Sequence, residues 1–203
     1  MTVQLLEKLT SRPEEQRLVL PGLHSWQQFK AMQEAIALCT GTRITYLDGR
    51  VELMTTGELH EMIKSSIGFL LELYFCEMEI EYFPAGSATQ ESETSGVSFE
   101  PDESYYLGQK GANPDLAVEV VVTSGGTGKL EKYKRLKIVE VWFWQNNQLS
   151  IYRFRGQEYE RVNRSELLPA LDLDLLSRCV LMPSRVAAKK EFIKGIQQQR
   201  SQS

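Results

Sequence analysis

Apolar residues recur every three or four positions in four segments of the chain, which is the spacing of an amphipathic helix. The segments cover about 26–39, 57–76 and 129–136, and the fourth begins after Pro183. The lysines of the third helix are expected to face largely outward. The fourth segment runs into the polar sequence QQQRSQS, so we expect an exposed helix that frays at its end.

Two of these helices begin at the spacing of a capping box, in which a Ser or Thr and a Glu or Gln three positions later satisfy each other's backbone amides. Ser25 and Gln28 have this spacing before the first helix. Thr55 and Glu58 have it before the second. The two pairs predict where each helix starts.

Between the helices, apolar and polar residues alternate with the period of two that indicates β-strands. Asp48-Gly49 separates two such segments and favours a two-residue hairpin turn, because both positions tolerate positive φ. A Thr-Ser-Gly turn at 94–96 and the pair Asn146-Asn147 predict two further strand pairs. The run PDLAVEVVV, residues 114–122, is apolar apart from its two acids and indicates a buried central strand.

The order of elements is helix, hairpin, helix, several strands, helix and strands. This order predicts an α/β or α+β fold with a helix on each face of a sheet, rather than a helical bundle or a pure β-sandwich. The chain has 203 residues, 42% of them hydrophobic, which is enough for one ordinary core. We therefore expect a single domain over 1–203, with its core at about 25–182 and a polar C-terminal helix and tail at 183–203.

Bulk composition argues against several classes of protein. No apolar run reaches the roughly 20 residues of a membrane span. The N-terminal sequence MTVQLLEKLTSRPEEQ lacks the basic and apolar regions of a signal peptide. Cys39, Cys76 and Cys179 lie far apart, unlike the cysteines of a zinc site or a disulfide framework. We expect a reduced, cytoplasmic protein that does not enter a membrane.

Charge is unevenly distributed along the chain. The net charge of −4 gives no overall attraction to nucleic acid, so such binding needs a local basic patch. Residues 77–103 contain eight acids and no Lys or Arg, whereas residues 129–164 contain nine bases and four acids. These segments are either solvated faces of opposite sign or parts of a binding site, and composition leaves both interpretations open.

The acids near the predicted central strand are the first candidates for chemistry. Asp115 and Glu119 share one face of the strand, and Glu119 needs a partner because a mid-strand carboxylate is costly to bury. Pairing with the preceding strand would bring Asp102 beside Glu119. Two converging carboxylates make the oxygen-rich site that Mg²⁺ or Mn²⁺ prefers. Asp115, which follows Pro114 at the strand start, is better explained as a turn cap.

Basic residues follow the central strand. Lys129 lies in the first turn of the next helix, and its side chain is expected to lean back toward the strand end. There it is placed to stabilise the charge that develops when a phosphodiester is hydrolysed, although a solvated helix start explains it almost as well. The same helix offers contacts to a nucleic-acid backbone through Lys132, Lys134, Arg135 and Lys137.

Taken in order, these segments resemble a known family. A strand containing Pro101 and Asp102 is followed by PDLAVEV, then KLEKY, then the strand VEVWFW. This succession resembles the Uma-type restriction-endonuclease family, a bacterial branch of the PD-(D/E)xK nuclease superfamily. The similarity runs from about Thr45 to Leu176, and it includes the Asp-Gly hairpin, His60 and the sequence LPALDLDL.

The resemblance implies a restriction-endonuclease-like fold with a central mixed sheet, and a Mg²⁺- or Mn²⁺-dependent endonuclease acting on DNA. Asp102 and Glu119 match the family's metal-binding acids, and Lys129 matches a catalytic lysine moved from the strand to the helix. Val121 stands where the usual strand lysine would be, and Gly125 stands near a position that often carries an acid. Such enzymes often act as dimers, so a homodimer is a further expectation, although no segment marks an interface.

Other interpretations of the same residues remain open. The fold could serve as a catalytically inactive nucleic-acid-binding or assembly module, or as a hydrolase or metal-binding protein with a different substrate. His60 is more typical of a packing histidine than of a ligand. Glu52 and Glu58 are weaker candidates for the site. Trp142 and Trp144 are typical of a core or a subunit contact.

Overall fold

The computed structural model describes residues 16–39, 41–122 and 129–201. Its helices are α1 (Trp26–Ile36), α2 (Glu58–Glu77), α3 (Leu130–Leu136), α4 (Leu173–Val180) and α5 (Arg185–Arg200). None of the helices in these ranges combines the length and apolar character needed to cross a bilayer.

The strands of the described residues form two sheets. They are β1 (Arg17–Val19), β2 (Thr42–Leu47), β3 (Arg50–Thr55), β4 (Tyr82–Pro84), β5 (Gln90–Ser92), β6 (Val97–Phe99), β7 (Glu103–Leu107), β8 (Leu116–Val121), β9 (Glu140–Gln145), β10 (Gln148–Phe154) and β11 (Tyr159–Val162). Helices and sheets together give an α+β fold of the restriction-endonuclease-like type.

The larger sheet is mixed and has the order β11-β10-β9-β8-β7-β4. β8 and β9 are parallel, and the other neighbours are antiparallel. β8 is buried at every position, which confirms the predicted central strand. Its side chains alternate between two cores: one packs against α2, α4 and α5, and the other packs against α3. Trp142 and Trp144 of β9 belong to the first core.

The smaller sheet has the order β1-β3-β2-β6-β5 and is antiparallel throughout. One face of it packs on α1 through Phe29, Ile44 and Val51. The hairpin between β2 and β3 turns at Asp48 and Gly49, whose φ angles of 48° and 86° confirm the predicted turn. After β6 the chain crosses from the smaller to the larger sheet, and the functional site lies at this crossing.

The two predicted capping boxes have different outcomes. Ser25 and Gln28 form a complete capping box at the start of α1, as predicted. The prediction for Thr55 is wrong: it is the last residue of β3, where it pairs with Thr42, and the N-cap of α2 is Gly57. The demand for a strand partner outweighs the local capping signal at this position.

The C-terminal helix, predicted to be amphipathic and exposed, is exposed on one face only, because its other face is buried. Ala188, Phe192 and Ile196 of α5 recur at a spacing of four and are buried in the core formed with α2 and α4. Gly195 permits the close approach, because a Cβ at this position would lie 2.3 Å from Cδ2 of Leu175 in α4. The last two residues, 202–203, lie outside the described ranges.

A partly buried carboxyl group on β7, that of Glu103, gives folding a pH dependence. Burial raises the pKa of Glu103 to about 7, and the negative charge of Glu72 adds to the effect, while Lys64 opposes it. The unfolded chain releases this proton near pH 4.5, whereas the folded chain keeps it up to about pH 7. The folded state therefore binds the proton more tightly, and stability falls as pH rises through this window.

Replacing that carboxyl group should remove the pH dependence. We expect Glu103→Gln to raise the free energy of unfolding at pH 8 by about 1–2 kcal/mol, a value reduced because solvent still reaches the group, and to change it little at pH 4. Urea denaturation at both pH values measures this. Glu81 is exposed, so Glu81→Gln is the control, and it should change the free energy of unfolding by the same small amount at both pH values. Equal effects of Glu103→Gln at the two pH values would contradict the prediction.

Candidate active site

Glu119 is the centre of a buried network between β8 and α3. Its side chain is 2% exposed, Lys129 Nζ lies 2.8 Å from Oε2, and Lys132 Nζ lies 2.8 Å from Oε1. The hydroxyl of Tyr133 also donates to Oε1. Burial by itself would raise the pKa of Glu119, but the two ammonium groups hold that pKa well below its usual value. Glu119 is therefore ionised at neutral pH.

The start of α3 supplies these three partners of Glu119. Lys129 is the N-cap residue, and Lys132 and Tyr133 lie three and four positions further on, so the three share one helix face. The expectation of outward-facing lysines is wrong for Lys132, which is buried and lies 4.7 Å from the ring centroid of Phe99. Burial lowers the pKa of Lys132, and the charge of Glu119 opposes this. Burial and the same charge raise the pKa of Tyr133 well above its usual value, so its hydroxyl remains a donor.

Asp102 is held by a second set of partners. It is 1% exposed and lies just before β7. Its Oδ2 accepts a hydrogen bond from the amide of Val120 at 2.7 Å and lies 3.1 Å from Nε2 of His60, while Arg43 donates to Oδ1. Burial would raise the pKa of Asp102, but the hydrogen bond with His60 and the charge of Arg43 outweigh it and lower the pKa.

The structure places the two acids next to each other. The amide of Asp102 donates to the carbonyl of Val118 at 3.2 Å, and its carboxylate accepts from the amide of Val120, so Asp102 lies across the strand pair from Glu119. The charge of Glu119 acts to raise the pKa of Asp102, as expected for neighbouring carboxylates. Asp115 lies at the start of β8, where its Oδ2 accepts from the amide of Leu107 at 2.8 Å.

A cleft of about 700 Å³ between the two sheets leads to Glu119. One wall is formed by β1, β2 and β3, and the other by Glu119, Gln145 and the start of α3. The cationic residues in its lining outnumber the acids by five to three. The cations are Arg17, Arg43, Arg50, Lys129 and Lys132, and the acids are Glu52, Glu100 and Glu119. Four of these cations pair with acids of the site, and Arg50 adds a positive charge beyond those pairs.

Comparison with known proteins identifies a family. The family model Uma2, described as "Putative restriction endonuclease", matches residues 26–181, which is more than three quarters of the chain. The chain belongs to the Uma2 family. A search of curated proteins found no match. For this Uma2 protein, the family points to a nuclease and therefore to DNA as the class of substrate.

The donor set of this Uma2 protein fits a small, hard cation. Mg²⁺ is usually held by one or two carboxylates together with water and substrate phosphates. Asp102 and Glu119 supply two carboxylates whose pKa values are lowered, so both are ionised at neutral pH. Within the described ranges, no three or more His, Cys, Asp or Glu side chains are grouped to hold a metal ion. A metal would therefore rely on these two acids, water and the substrate.

Several residues of the site do not follow from sequence reasoning. Arg43 is 59 positions away from Asp102, and no sequence pattern links the two. His60 was expected to be a packing histidine; it is buried, but it also contacts Asp102. Tyr133 could have been found from the sequence, because it follows Lys129 by four positions and therefore lies on the same face of the predicted helix.

Two positions differ from the family pattern. Val121, where the usual strand lysine would be, packs in the core beneath α3. Gly125 lies outside the described residues. Of the weaker candidates, Glu52 lines the cleft and pairs with Arg17 at 2.5 Å.

Proposed function

We propose that this Uma2 protein is a Mg²⁺- or Mn²⁺-dependent endodeoxyribonuclease that hydrolyses phosphodiester bonds of DNA. The observation that carries the proposal is the pair of buried, ionised carboxylates, Asp102 and Glu119, beside a cationic cleft. Lys129 lies 2.8 Å from one of them. Phosphodiester hydrolysis needs these parts: acids that hold a cation, and a positive side chain near the developing charge.

Each side chain of the site has a role in this proposal. Asp102 and Glu119 would hold the metal ion, which when bound polarises the phosphate and makes water a better nucleophile. Arg43 and His60 keep Asp102 ionised and oriented. Lys129 would donate to the phosphate oxygens as their negative charge grows in the transition state.

We also propose that the chain works as one domain in the cytoplasm. Val97 and Phe99 of the smaller sheet pack in the same core as α3 and β9, which supports a single domain. The three cysteines, Cys39, Cys76 and Cys179, are free thiols. Free thiols suit a reducing compartment.

A second candidate function is a nucleic-acid-binding or assembly module that no longer cuts. The observation in its favour is that both acids are already neutralised, Glu119 by Lys129 and Lys132, and Asp102 by Arg43. A site with these pairs balances the charge of its buried carboxylates without needing a metal. Cleavage of DNA separates the two functions.

The test uses DNA circles, which have no ends for an exonuclease. Supercoiled plasmid and circular single-stranded DNA are each incubated with the protein and Mg²⁺, Mn²⁺ or EDTA. We expect at least one circle to be cut with metal and neither with EDTA. If neither is cut in any metal but both bind in Ca²⁺ with strong salt dependence, the binding module is the better description. If DNA is neither cut nor bound, both functions are wrong.

A further inference from the structure

The open face of the smaller sheet carries arginines opposite the acids. Residues on β1, β3 and β2 that pair in register share one face of the sheet. On the face toward the cleft, Met54 lies between Arg17 and Arg43, and Arg50 is paired with Leu47. The other face is occupied by the contacts with α1. The strands therefore present arginines and apolar side chains to the cleft, together with Glu52, which pairs with Arg17.

The cleft encloses a space on the scale of a short stretch of one strand. Its volume of about 700 Å³ lies in the range, about 300–1,000 Å³, of sites that enclose a small molecule. That space suits about one or two nucleotides. Asp102 and Glu119 are 1% and 2% exposed, so a scissile phosphate has to enter the cleft to reach them.

The lining also suits a strand whose bases are unpaired. Val19 is 55% exposed and, like Met54, lines the cleft. Arg50 is exposed, and its guanidinium makes no ion pair or hydrogen bond within the described part of the chain. An unpaired strand offers both a phosphate for such an arginine and base faces for apolar side chains and guanidinium planes. In a duplex, the base faces are stacked and hidden.

The geometry points to a single unpaired DNA strand as the substrate of this cleft, with Arg50 as a contact to its backbone. This inference rests on the proposed nuclease function, because it names the substrate of the same site. The strand lies between the β1-β3-β2 wall and the start of α3, and its phosphate reaches Glu119 from the cleft. A single strand has one backbone, so one active site is enough to cut it.

The test compares DNAs of one sequence: a short single strand, the matching duplex, and a duplex with a single-stranded tail. Binding is titrated in Ca²⁺, and single-turnover cleavage is measured in Mn²⁺. We expect the single strand to bind and to be cut at least about tenfold better than the duplex, and the tailed duplex to be cut in its tail. Arg50→Ala should weaken single-strand binding about tenfold and reduce its salt slope by about 0.7.

Lys189→Ala is the control, because this lysine is exposed on α5, a helix that does not line the cleft. It should leave the binding of every DNA unchanged. Equal or stronger binding and cutting of the duplex would overturn the inference while leaving the nuclease function intact. If nothing is cut, the nuclease function fails, and the Ca²⁺ titrations still decide between strand and duplex. If Arg50→Ala binds the single strand with the parental affinity, the strand does not contact the β1-β3-β2 wall through Arg50.

Discussion

Glu119→Gln is expected to lower the rate of metal-dependent DNA cleavage by on the order of 10³-fold. Glu119 is ionised, and a neutral amide cannot supply the charge that helps hold Mg²⁺. Stabilisation by a metal is worth several kcal/mol in a transition state, and about 1.4 kcal/mol corresponds to a tenfold change in rate. Single-turnover cleavage at saturating protein measures the rate, and calorimetric titration with Mn²⁺ measures metal binding.

This substitution also leaves the ammonium groups of Lys129 and Lys132 without their carboxylate. Folding must therefore be checked by thermal denaturation of the same preparations. Glu131→Gln is the matched control: it lies on α3 and pairs with Arg135 on the helix surface, so it should cut at the parental rate. If Glu119→Gln binds Mn²⁺ and cuts like the parent, Glu119 is not a metal ligand.

The elements of the fold were predictable where local signals agree with tertiary demands. The Asp48-Gly49 turn requires positive φ, and few other dipeptides permit it, so the hairpin follows from two residues. The burial of β8 follows from its continuous apolar sequence. The start of α2 was predicted to within one residue, but its cap was wrongly assigned to Thr55. Thr55 has both a capping and a strand-pairing role open to it, and only the neighbouring strand decides between them.

The division of the strands into two sheets was not predictable. The sequence from Val97 to Leu107 looks like one strand, yet β6 pairs in the smaller sheet and β7 in the larger. The break comes at Pro101, which has no amide hydrogen to donate to a ladder. A proline signals a possible break but not a change of sheet. That change is what places Asp102 between the sheets.

The candidate site was predictable in its acids but not in their partners. Glu119 stands out because a carboxylate inside an apolar strand demands compensation. The partners of Glu119, which are Lys129, Lys132 and Tyr133, follow it within 14 positions, so a sequence analysis can find them. Arg43, the partner of Asp102, comes from a strand 59 positions earlier, which no local pattern indicates. Helical spacing marked Lys132 as a residue of α3, but whether it faced solvent or Glu119 depended on how α3 packs on the sheet.

That packing changes the expectation for Lys132. An exposed lysine on α3 would contact phosphate, and its loss would weaken DNA binding. Lys132 is buried, pairs with Oε1 of Glu119 and lies over the ring of Phe99. Removing one member of a buried pair leaves the other charge uncompensated, which is strongly destabilising. Lys132→Ala should therefore reduce stability first, which makes it a poor probe of DNA contact.

Lys129→Ala is the sharper test of the chemistry. We expect it to leave the binding of Mn²⁺ and DNA nearly intact and to lower the cleavage rate by on the order of 10²-fold or more, as loss of one electrostatic donor to a transition state commonly does. Glu119 would keep Lys132 and Tyr133 as partners, so its carboxylate would remain ionised and oriented. The measurements are single-turnover cleavage at saturating protein in Mn²⁺ and DNA titration in Ca²⁺.

Lys134→Ala is the control for Lys129→Ala, because Lys134 lies on the same helix but pairs with Glu158 on the surface. It should keep the parental rate of the bound complex. A parental rate for Lys129→Ala would show that this lysine does not stabilise the transition state. A loss confined to DNA affinity would instead make Lys129 a phosphate contact. The ammonium of Lys129 lies 2.8 Å from Glu119, an acid proposed to hold the metal, and therefore beside the proposed position of the reacting phosphate. The proposed mechanism thus requires Lys129→Ala to lower the cleavage rate of the bound complex.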